Sequence, residues 1–307
     1  MNLRQMACYQ AIFELKNLSH AASQLNLAQS AISHHLANLE EELGVQLFTR
    51  KPRGMEPTAA GIKLYDHVKS ILRAVQLAEQ DVRNESEEVS GEIAVGLPHS
   101  VMQAIGLSLM RAVLQDFPKV RLSVVESLSG GTFSNLLSSE VDLALFYNPQ
   151  NDERITMRAL LEEEVLCVGK KEIIGDTDTP LGFDELANLP VLLLREGLSS
   201  RAVVDRPGLL NRLEARVPLQ LNSINGIMTG LKAGLGCTLA PQVFVADDLA
   251  RGELSARKIV SPVLTRRLYF GHLKERPSTR LMEAMTDLIL QLIFAEVDGG
   301  RWHARLI

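Results

Sequence analysis

The spacing of the hydrophobic residues changes at Gly91, and this change divides the chain into two parts with different folds. Before Gly91, apolar residues recur every three or four positions with almost no alternating run, which is typical of helices. After Gly91, short apolar runs alternate with helical patterns, which is typical of α/β units built on parallel sheets covered on both faces. The 307 residues are also too many for one ordinary core. We therefore predict a helical N-terminal part and an α/β part with two lobes.

Three short helices are predicted in the first 43 residues. The first ends near Asn17, and the second runs from His20 to Leu25 with Ser19 as its N-cap. The third runs from about Gln29 to Leu43 and ends at Gly44, a residue that is favoured just after a helix. We expect this helix to bury its apolar residues, which are Ile32, Leu36, Leu39 and Leu43.

A basic hairpin follows the third helix. Residues Gln46 to Pro57 carry Pro52-Arg53-Gly54 at their centre, a typical turn between two short strands. From Leu43 to Arg73 there are six basic and two acidic residues, a net charge of +4 in a chain whose net charge is −5. Two helices joined by a tight turn and followed by a basic hairpin form the winged helix-turn-helix pattern of DNA-binding proteins.

The next helix is long and has the pattern of a coiled coil. It begins after Thr58, which serves as its N-cap, and it continues to about Glu88. Its apolar residues alternate between spacings of four and three, which predicts a helix that pairs with a second copy of itself. These residues are Leu64, Val68, Ile71, Val75, Ala78 and Val82.

The polar face of the third helix carries hydrogen-bonding side chains that suit base edges in the major groove of DNA. At the hairpin tip, an arginine suits phosphate or a minor groove, and the start of the long helix suits another phosphate. For each of these residues taken alone, a merely solvated surface position is an equal alternative, and the adjoining basic hairpin favours DNA. The candidate DNA-binding residues are Gln29, Ser30, Ser33, His34, Arg50, Arg53 and Thr58.

The run from Ser19 to Arg50, continued by Arg53-Gly54-Met55-Glu56-Pro57-Thr58-Ala59-Ala60-Gly61, resembles the signature of LysR-type transcriptional regulators. Two positions depart from that signature: Ala28 stands where Ser or Thr is usual, and His34 stands at a variable position. The resemblance implies a winged helix-turn-helix domain over residues 1–58 and a linker or dimerisation helix over 59–90. It also implies a two-lobed effector-binding domain over 91–297 that is similar to periplasmic binding proteins. Lobe I would span about 91–162 and 268–297, lobe II about 165–265, and residues 298–307 would form a tail.

In such a two-lobed fold, ligands bind at the carboxyl ends of strands near helix N-termini. Three connections fit this description, at Pro98–Ser100, Leu128–Thr132 and Leu198–Arg201. Hydroxyl and amide groups there, with Arg201, suit a small anionic effector, although each serine alone is more often an ordinary N-cap. The candidate effector-binding residues are His99, Ser100, Ser129, Gly130, Ser199 and Arg201, with Asn148 and Asn222 as weaker candidates.

Two crossover strands near Glu162–Glu164 and Thr265–Arg267 are expected to join the lobes and to act as a hinge. The last ten residues, with the single tryptophan Trp302, are expected to form a frayed tail, with docking on a partner as the alternative. The expected partners are double-stranded DNA with an inverted repeat, a small effector, a homodimer or homotetramer, and RNA polymerase as a further candidate.

An enzyme and a solute-binding protein for uptake are the two rival functions. The sequence has no Walker A loop, GxSxG, HExxH or CxxC motif. The three cysteines, Cys8, Cys167 and Cys237, are isolated, and Cys167 lies in an apolar strand pattern that favours a core position over a nucleophile. We therefore expect no catalysis, cofactor or metal. The first residues lack an apolar signal core and no long apolar run occurs, so we expect a cytoplasmic protein without a membrane partner.

Overall fold

The computed structural model describes residues 1–52, 54–83, 88–194, 213, 220–221, 223–276 and 278–307. The chain separates into two compact units, Met1–Glu87 and Glu88–Ile307. The division falls close to the change of hydrophobic spacing at Gly91. Each unit is considered by itself below.

The N-terminal unit consists of four helices and one hairpin, as predicted. They are α1 (Leu3–Leu15), α2 (Leu18–Gln24), α3 (Gln29–Leu43), β1 (Phe48–Lys51), β2 (Gly54–Pro57) and α4 (Ala59–Arg83). β1 and β2 pair in antiparallel register from Phe48 opposite Pro57 to Lys51 opposite Gly54. The core lies among α1, α2, α3 and the hairpin, with Tyr9, Ile12 and Ile32 fully buried.

Two details of these helices differ from the sequence-based predictions. The N-cap of α2 is Asn17, whose Oδ1 accepts hydrogen bonds from the amides of Ser19 and His20, so the predicted cap Ser19 lies inside the helix. Asparagine and serine are both common caps, which is why the sequence did not separate them. Leu43 is 39% exposed although Ile32, Leu36 and Leu39 are buried, because it lies in the last turn of α3.

The apolar seam of α4 divides into two halves. Leu64 and Val68 pack into the core of the N-terminal unit, so this half of the predicted seam is used within one chain. Further along the same face, Ile71 is 37% and Val82 is 75% exposed. The second half of the seam thus presents apolar side chains at the surface of this unit.

The C-terminal unit contains a six-stranded sheet with the strand order β15-β6-β14-β5-β3-β4. The strands are β3 (Gly91–Pro98), β4 (Val120–Ser127), β5 (Leu143–Tyr147), β6 (Ile155–Glu164), β14 (Thr265–Leu273) and β15 (Arg305–Leu306). Helices α5 (His99–Asp116), α6 (Ser129–Leu137) and α11 (Arg280–Asp298) pack around it. β3 pairs in parallel with β4 and β5, whereas β14, β6 and β15 are antiparallel to their neighbours. The prediction of parallel sheets was therefore wrong for half of this sheet.

The remainder of this unit forms a second lobe around a three-stranded antiparallel sheet. In that sheet β7 (Leu166–Gly169) lies between β11 (Cys237–Ala240) and β12 (Ser255–Arg257). Two parallel strand pairs flank it: β8 (Leu181–Gly182) with β13 (Ile259–Val260), and β9 (Leu193–Leu194) with β10 (Gln220–Leu221). The short helices are α7 (Lys171–Ile174), α8 (Phe183–Leu186), α9 (Ile224–Lys232) and α10 (Ala246–Ala250), with a 3₁₀ turn at Gln242–Val245.

The two predicted crossover stretches lie side by side, where β6 and β14 pair. Glu162, Glu163 and Glu164 are opposite Arg267, Arg266 and Thr265. The chain continues from β6 into β7, and it returns to the six-stranded sheet through β14. Both links between the lobes therefore pass through one short stretch of two-stranded ladder.

The last residues do not form the frayed tail that the sequence suggested. β15 pairs with β6 at the edge of the six-stranded sheet, and Trp302 is only 1% exposed. The indole Nε1 of Trp302 donates to Glu163 Oε2 over 2.8 Å, and Arg305 Nη2 donates to Glu162 Oε1 over 3.1 Å. The prediction was wrong because the partners of this segment lie about 140 residues earlier, beyond the reach of any local pattern.

Candidate functional site

The helix-turn-helix is held together by backbone hydrogen bonds in its turn. The amide of Leu27 donates to the carbonyl of Ala22 over 2.9 Å, and Asn26 adopts a left-handed conformation with φ of 53°. α3 begins directly after this turn, and its N-cap residue Ala28 makes no side-chain capping bond. The first amides of α3 therefore keep hydrogen-bonding capacity for an outside acceptor.

The polar side chains predicted to read DNA lie on the outer face of α3. Gln29, Ser30 and His34 are exposed, and Ser33 is half-buried. Two of them are held by neighbours: Ser19 Oγ donates to Gln29 Oε1 over 3.1 Å, and Asn38 Nδ2 lies 3.1 Å from His34 Nε2. Since the oxygen of Gln29 is engaged by Ser19, the amide group of Gln29 is the part left to face a partner.

The basic hairpin is fixed to the same helix by one carboxylate. Glu40 Oε1, on the inner side of α3, accepts the amides of Leu47 and Phe48 over 2.7 and 3.2 Å at the start of the hairpin. On the other strand, the amide of Met55 donates to the carbonyl of Lys16 over 2.8 Å. These contacts fix the hairpin relative to α1 and α3.

Two glycines in the hairpin region are required by close backbone contacts. Gly54 has φ of 140°, and a Cβ there would lie 2.3 Å from the carbonyl oxygen of Lys16. At Gly61, a Cβ would lie 2.2 Å from the carbonyl oxygen of Leu47. The carbonyl of Gly61 also accepts a hydrogen bond from the buried hydroxyl of Tyr9, so α1, the hairpin and α4 meet at this point.

The remaining DNA-binding candidates have different places. Arg50 is exposed on β1, and Arg53 lies outside the described residues. The hydroxyl of Thr58 donates to the carbonyl of Gln46 over 2.7 Å and accepts the amide of Gly61 over 3.1 Å. Thr58 therefore caps α4 as predicted, and its only hydroxyl proton is used inside the protein.

A cavity of about 70 Å³ lies between the two lobes of the C-terminal unit. Ten of its fifteen described lining residues are apolar. The polar ones are His99, Ser100, Ser127, Thr238 and Arg266. The cavity therefore suits a largely apolar molecule with few polar groups.

The polar floor of the cavity is a hydrogen-bonded cluster centred on Arg266. Arg266 Nε donates to Glu163 Oε1 and Arg266 Nη2 donates to Ser100 Oγ, both over 2.8 Å. Its guanidinium carbon lies 3.6 Å from the centre of the Tyr147 ring. Burial raises the pKa of Tyr147 well above its ordinary value, although Arg266 acts in the opposite direction, so the phenol is neutral.

His99 lies where the two lobes meet at the cavity. Its Nδ1 is 2.6 Å from Glu126 Oε1, and its ring makes an edge contact with Phe244 with the centroids 5.5 Å apart. His99 follows β3 in lobe I, whereas Phe244 belongs to the second lobe. Their contact joins the two walls of the cleft.

The effector-site candidates from the sequence do not all line the cavity. His99 and Ser100 line the cavity. Asn148 does not, because its side chain accepts the amide of Arg267 over 2.9 Å, and Gly130 lies in the first turn of α6 without lining it. Ser129 begins α6, as predicted from its connection. Three candidates lie outside the described residues: Ser199, Arg201 and Asn222.

Sequence reasoning missed Arg266, Thr238 and Phe244. A signal for Arg266 was present, since three consecutive glutamates at 162–164 and two arginines at 266–267 occupy the two predicted crossover strands. Complementary charges on neighbouring strands favour cross-strand pairs. Nothing local distinguished the arginine that points into the cleft from the one that points to solvent.

Cys167 has no feature of a nucleophile. It is fully buried on β7, and a hydrogen bond with Cys237 together with burial raises the pKa of its thiol. No group of three His, Cys, Asp or Glu residues within the described ranges could hold a metal ion. In the same part of the chain, no helix has both the length and the apolar character needed to cross a bilayer.

Both units match family models, in the order that the geometry suggests. Residues 3–62 match the bacterial regulatory helix-turn-helix protein of the lysR family, and residues 86–293 match the LysR substrate binding domain. The pairing of these two domains defines a transcription regulator that binds DNA and carries a substrate-binding domain. The chain belongs to the LysR family of transcriptional regulators.

Individual relatives agree with this assignment. The nitrogen assimilation regulatory protein nac of Escherichia coli strain K12 is 30% identical over 305 residues, which cover 99% of both chains. A full-length variant of OxyR from Pseudomonas aeruginosa has the same fold, with a TM-score of 0.73 at 18% identity over 95% of this chain and 94% of that one. Full-length CbnR complexed with its target DNA matches with a TM-score of 0.64 at 18% identity, over 95% of this chain and all of CbnR. The predicted family and fold class are thereby confirmed.

Proposed function

We propose that this regulator reads an inverted-repeat operator through α3 and controls transcription in response to a small, anionic molecule bound in the cleft. In this proposal residues 1–58 bind DNA, residues 59–90 link and dimerise, and residues 91–297 hold the effector. The observation that carries the DNA-binding role is the exposed polar face of α3 beside a basic hairpin that Glu40 fixes to the same helix. The solved complex of CbnR with its target DNA supports the same role.

Base reading is assigned to Gln29, Ser30, Ser33 and His34. Glutamine suits adenine because its amide can both donate and accept, and here its donor side is left free by Ser19. Arg50, exposed on β1, and Arg53 supply phosphate contacts that carry no sequence information. At Thr58, a phosphate would be bound by the amides at the start of α4.

An anionic effector is supported by the chemistry of the cleft. The guanidinium of Arg266 lines the cavity, and α5 and α6 both begin beside it. Their N-cap residues, Pro98 and Leu128, make no side-chain capping bond. Unpaired amides at a helix start favour negative charge.

Closure of the lobes about the β6–β14 ladder is the proposed link between the effector and DNA, because both chain connections pass through it. The test is small-angle scattering and DNase footprinting with and without a molecule that is shown to bind. An unchanged shape and an unchanged footprint would contradict this link.

A gel shift with the DNA upstream of the regulator's own gene tests the base-reading role. Gln29→Ala should cost about 1–3 kcal/mol on this operator and far less on random DNA, because a base-specific contact is lost. The matched control is Gln115→Ala, which replaces an exposed glutamine on α5 in the other unit. It should change neither operator binding nor binding to random DNA. Equal losses on operator and random DNA would show that Gln29 does not read a base.

A further inference from the structure

Arg266 carries the charge that a ligand would meet at the bottom of the cleft. Its side chain lines the cavity, yet the residue is only 8% exposed. No aspartate or glutamate is among the described residues that line this cavity. Among the described lining residues, a ligand therefore meets one guanidinium within mostly apolar walls.

The hydrogen bonds of Arg266 leave one edge of the guanidinium free. Nε and Nη2 bond to Glu163 and Ser100, as described above. Within the described part of the chain, Nη1 makes no hydrogen bond, and no fully buried polar side-chain atom lacks a partner, so Nη1 is not fully buried. Nη1 therefore faces the cavity rather than protein, and its two N–H groups require an acceptor there.

The orientation of this edge is fixed from three sides. Glu163 holds Nε, the Tyr147 ring lies against the guanidinium plane, and Ser100 holds Nη2. Glu163 is itself held on its other oxygen by the indole of Trp302 over 2.8 Å. The C-terminal segment thus positions the carboxylate that positions the cleft arginine.

The charge balance distinguishes among anions. Glu163 already neutralises Arg266 through a buried ion pair of 2.7 Å, so each negative charge that a ligand brings into these apolar surroundings is costly, and a doubly charged phosphate monoester costs more than a single carboxylate. One carboxylate can accept from the two N–H groups of Nη1 and from the uncapped amides of α5 and α6. A molecule with one carboxylate and an apolar body matches both the polar cluster at the bottom of the cavity and the apolar residues that line its sides.

We propose that the cleft selects a monocarboxylate with an apolar body, that Arg266 Nη1 binds the carboxylate, and that Glu163 is the positioning residue for Arg266. This inference rests on the proposed function only in taking the cleft as the effector site. It adds the class of ligand and the residue that selects it.

The test uses the full-length protein and matched probe pairs. Benzoate, phenylacetate and hexanoate are each compared with the neutral amide of the same shape, by isothermal titration calorimetry. The carboxylates should bind, and each amide should bind about tenfold to a hundredfold more weakly, the effect of losing a charge-assisted hydrogen bond. Trp302, the single tryptophan of the chain, should change its fluorescence when a carboxylate binds, because its indole contacts Glu163.

Arg266→Met should weaken carboxylate binding by about the same factor and bring it to the level of the amides. Arg267→Met is the matched control: it removes the adjacent arginine of the same strand, which pairs with Glu162 and is 53% exposed, and it should bind like the wild type. Arg266→Lys keeps a positive charge opposite Glu163 but loses the planar free edge. It should fold and still lose most of the carboxylate preference.

Three results would overturn the inference: amides that bind as tightly as carboxylates, a folded Arg266→Met or Arg266→Lys protein that keeps the preference, or no binding of any of the three carboxylates. Operator binding is measured on the same samples by gel shift. Intact operator binding by a wild-type protein that binds no carboxylate contradicts only this inference, whereas a ligand-free wild-type protein that does not bind the operator contradicts the proposed function.

Discussion

Asp142 and Arg276 form an ion pair inside the C-terminal unit, and their side chains are 0% and 3% exposed. Arg276 Nη1 lies 2.5 Å from Asp142 Oδ1, while Asp142 Oδ2 accepts the amide of Ala94 on β3 over 2.8 Å. Asp142, which directly precedes β5, therefore links the start of that strand to β3. Arg276 neutralises the charge of the Asp142 carboxylate. Without the arginine, the buried carboxylate would lose this ion pair.

We expect Arg276→Met to lower the free energy of unfolding of the C-terminal unit by about 3–5 kcal/mol, the usual cost of removing one partner of a buried pair. Urea unfolding followed by Trp302 fluorescence measures this unit alone, since the chain has one tryptophan. Arg154→Met is the matched control, because the Arg154 side chain is 66% exposed beside Asp152 and an exposed pair is worth about 0–1 kcal/mol. Equal effects of the two substitutions would contradict the importance of burial.

At the level of secondary structure, the predictability of each element depended on how local its signals are. α3 was predicted at its observed bounds because an amphipathic spacing and Gly44 define it locally. β6 spans Ile155–Glu164, but only its last residues, Glu162–Glu164, were recognised from the sequence. β15 was missed because its stability comes from pairing with β6 and from the burial of Trp302. The sequence also could not show which of Arg266 and Arg267 enters the cleft, because this depends on the pairing of two distant strands.

The start of α2 offers a direct comparison of two candidate caps. Asn17 accepts two amides, whereas the Ser19 side chain donates to Gln29. Asn17→Ala should therefore cost about 0.5–2 kcal/mol in the stability of the N-terminal unit, the usual value of an N-cap. Ser19→Ala should cost less, because it removes no cap. Thermal unfolding followed by far-ultraviolet circular dichroism compares the two, and a larger loss for Ser19→Ala would contradict the observed cap.

For the whole molecule, the organisation into two units was readable because it rests on composition and periodicity summed over many residues. The placement of individual ligand-binding side chains was not, because the cleft gathers residues from β3, β11 and β14 that lie up to 168 positions apart, from Pro98 to Arg266. The same contrast applies to α4. Its heptad spacing predicted a pairing helix, but only the structure separates the half that covers its own core from the half that is exposed.

That exposed half carries the last prediction, which concerns the assembly of the whole protein. Ile71 and Val82 lie on one face of α4 and are 37% and 75% exposed in the single chain. Covering an Ile or Val side chain contributes up to about 1.5–3 kcal/mol, and each residue counts twice in a symmetric dimer. We therefore expect Ile71→Glu combined with Val82→Glu to dissociate the proposed homodimer, because four carboxylates would replace apolar contacts at its interface.

Analytical ultracentrifugation at micromolar concentration measures the outcome as a fall in mass to that of one chain. Val263→Glu is the control, since Val263 is 54% exposed in the C-terminal unit and lies outside α4, so its substitution should leave the assembly intact. Binding to an inverted repeat should weaken together with the mass, because two linked half-sites bind far more tightly than two separate chains. If the double variant keeps the wild-type mass, the exposed seam of α4 is not the dimer interface, and the apolar residues there need another explanation.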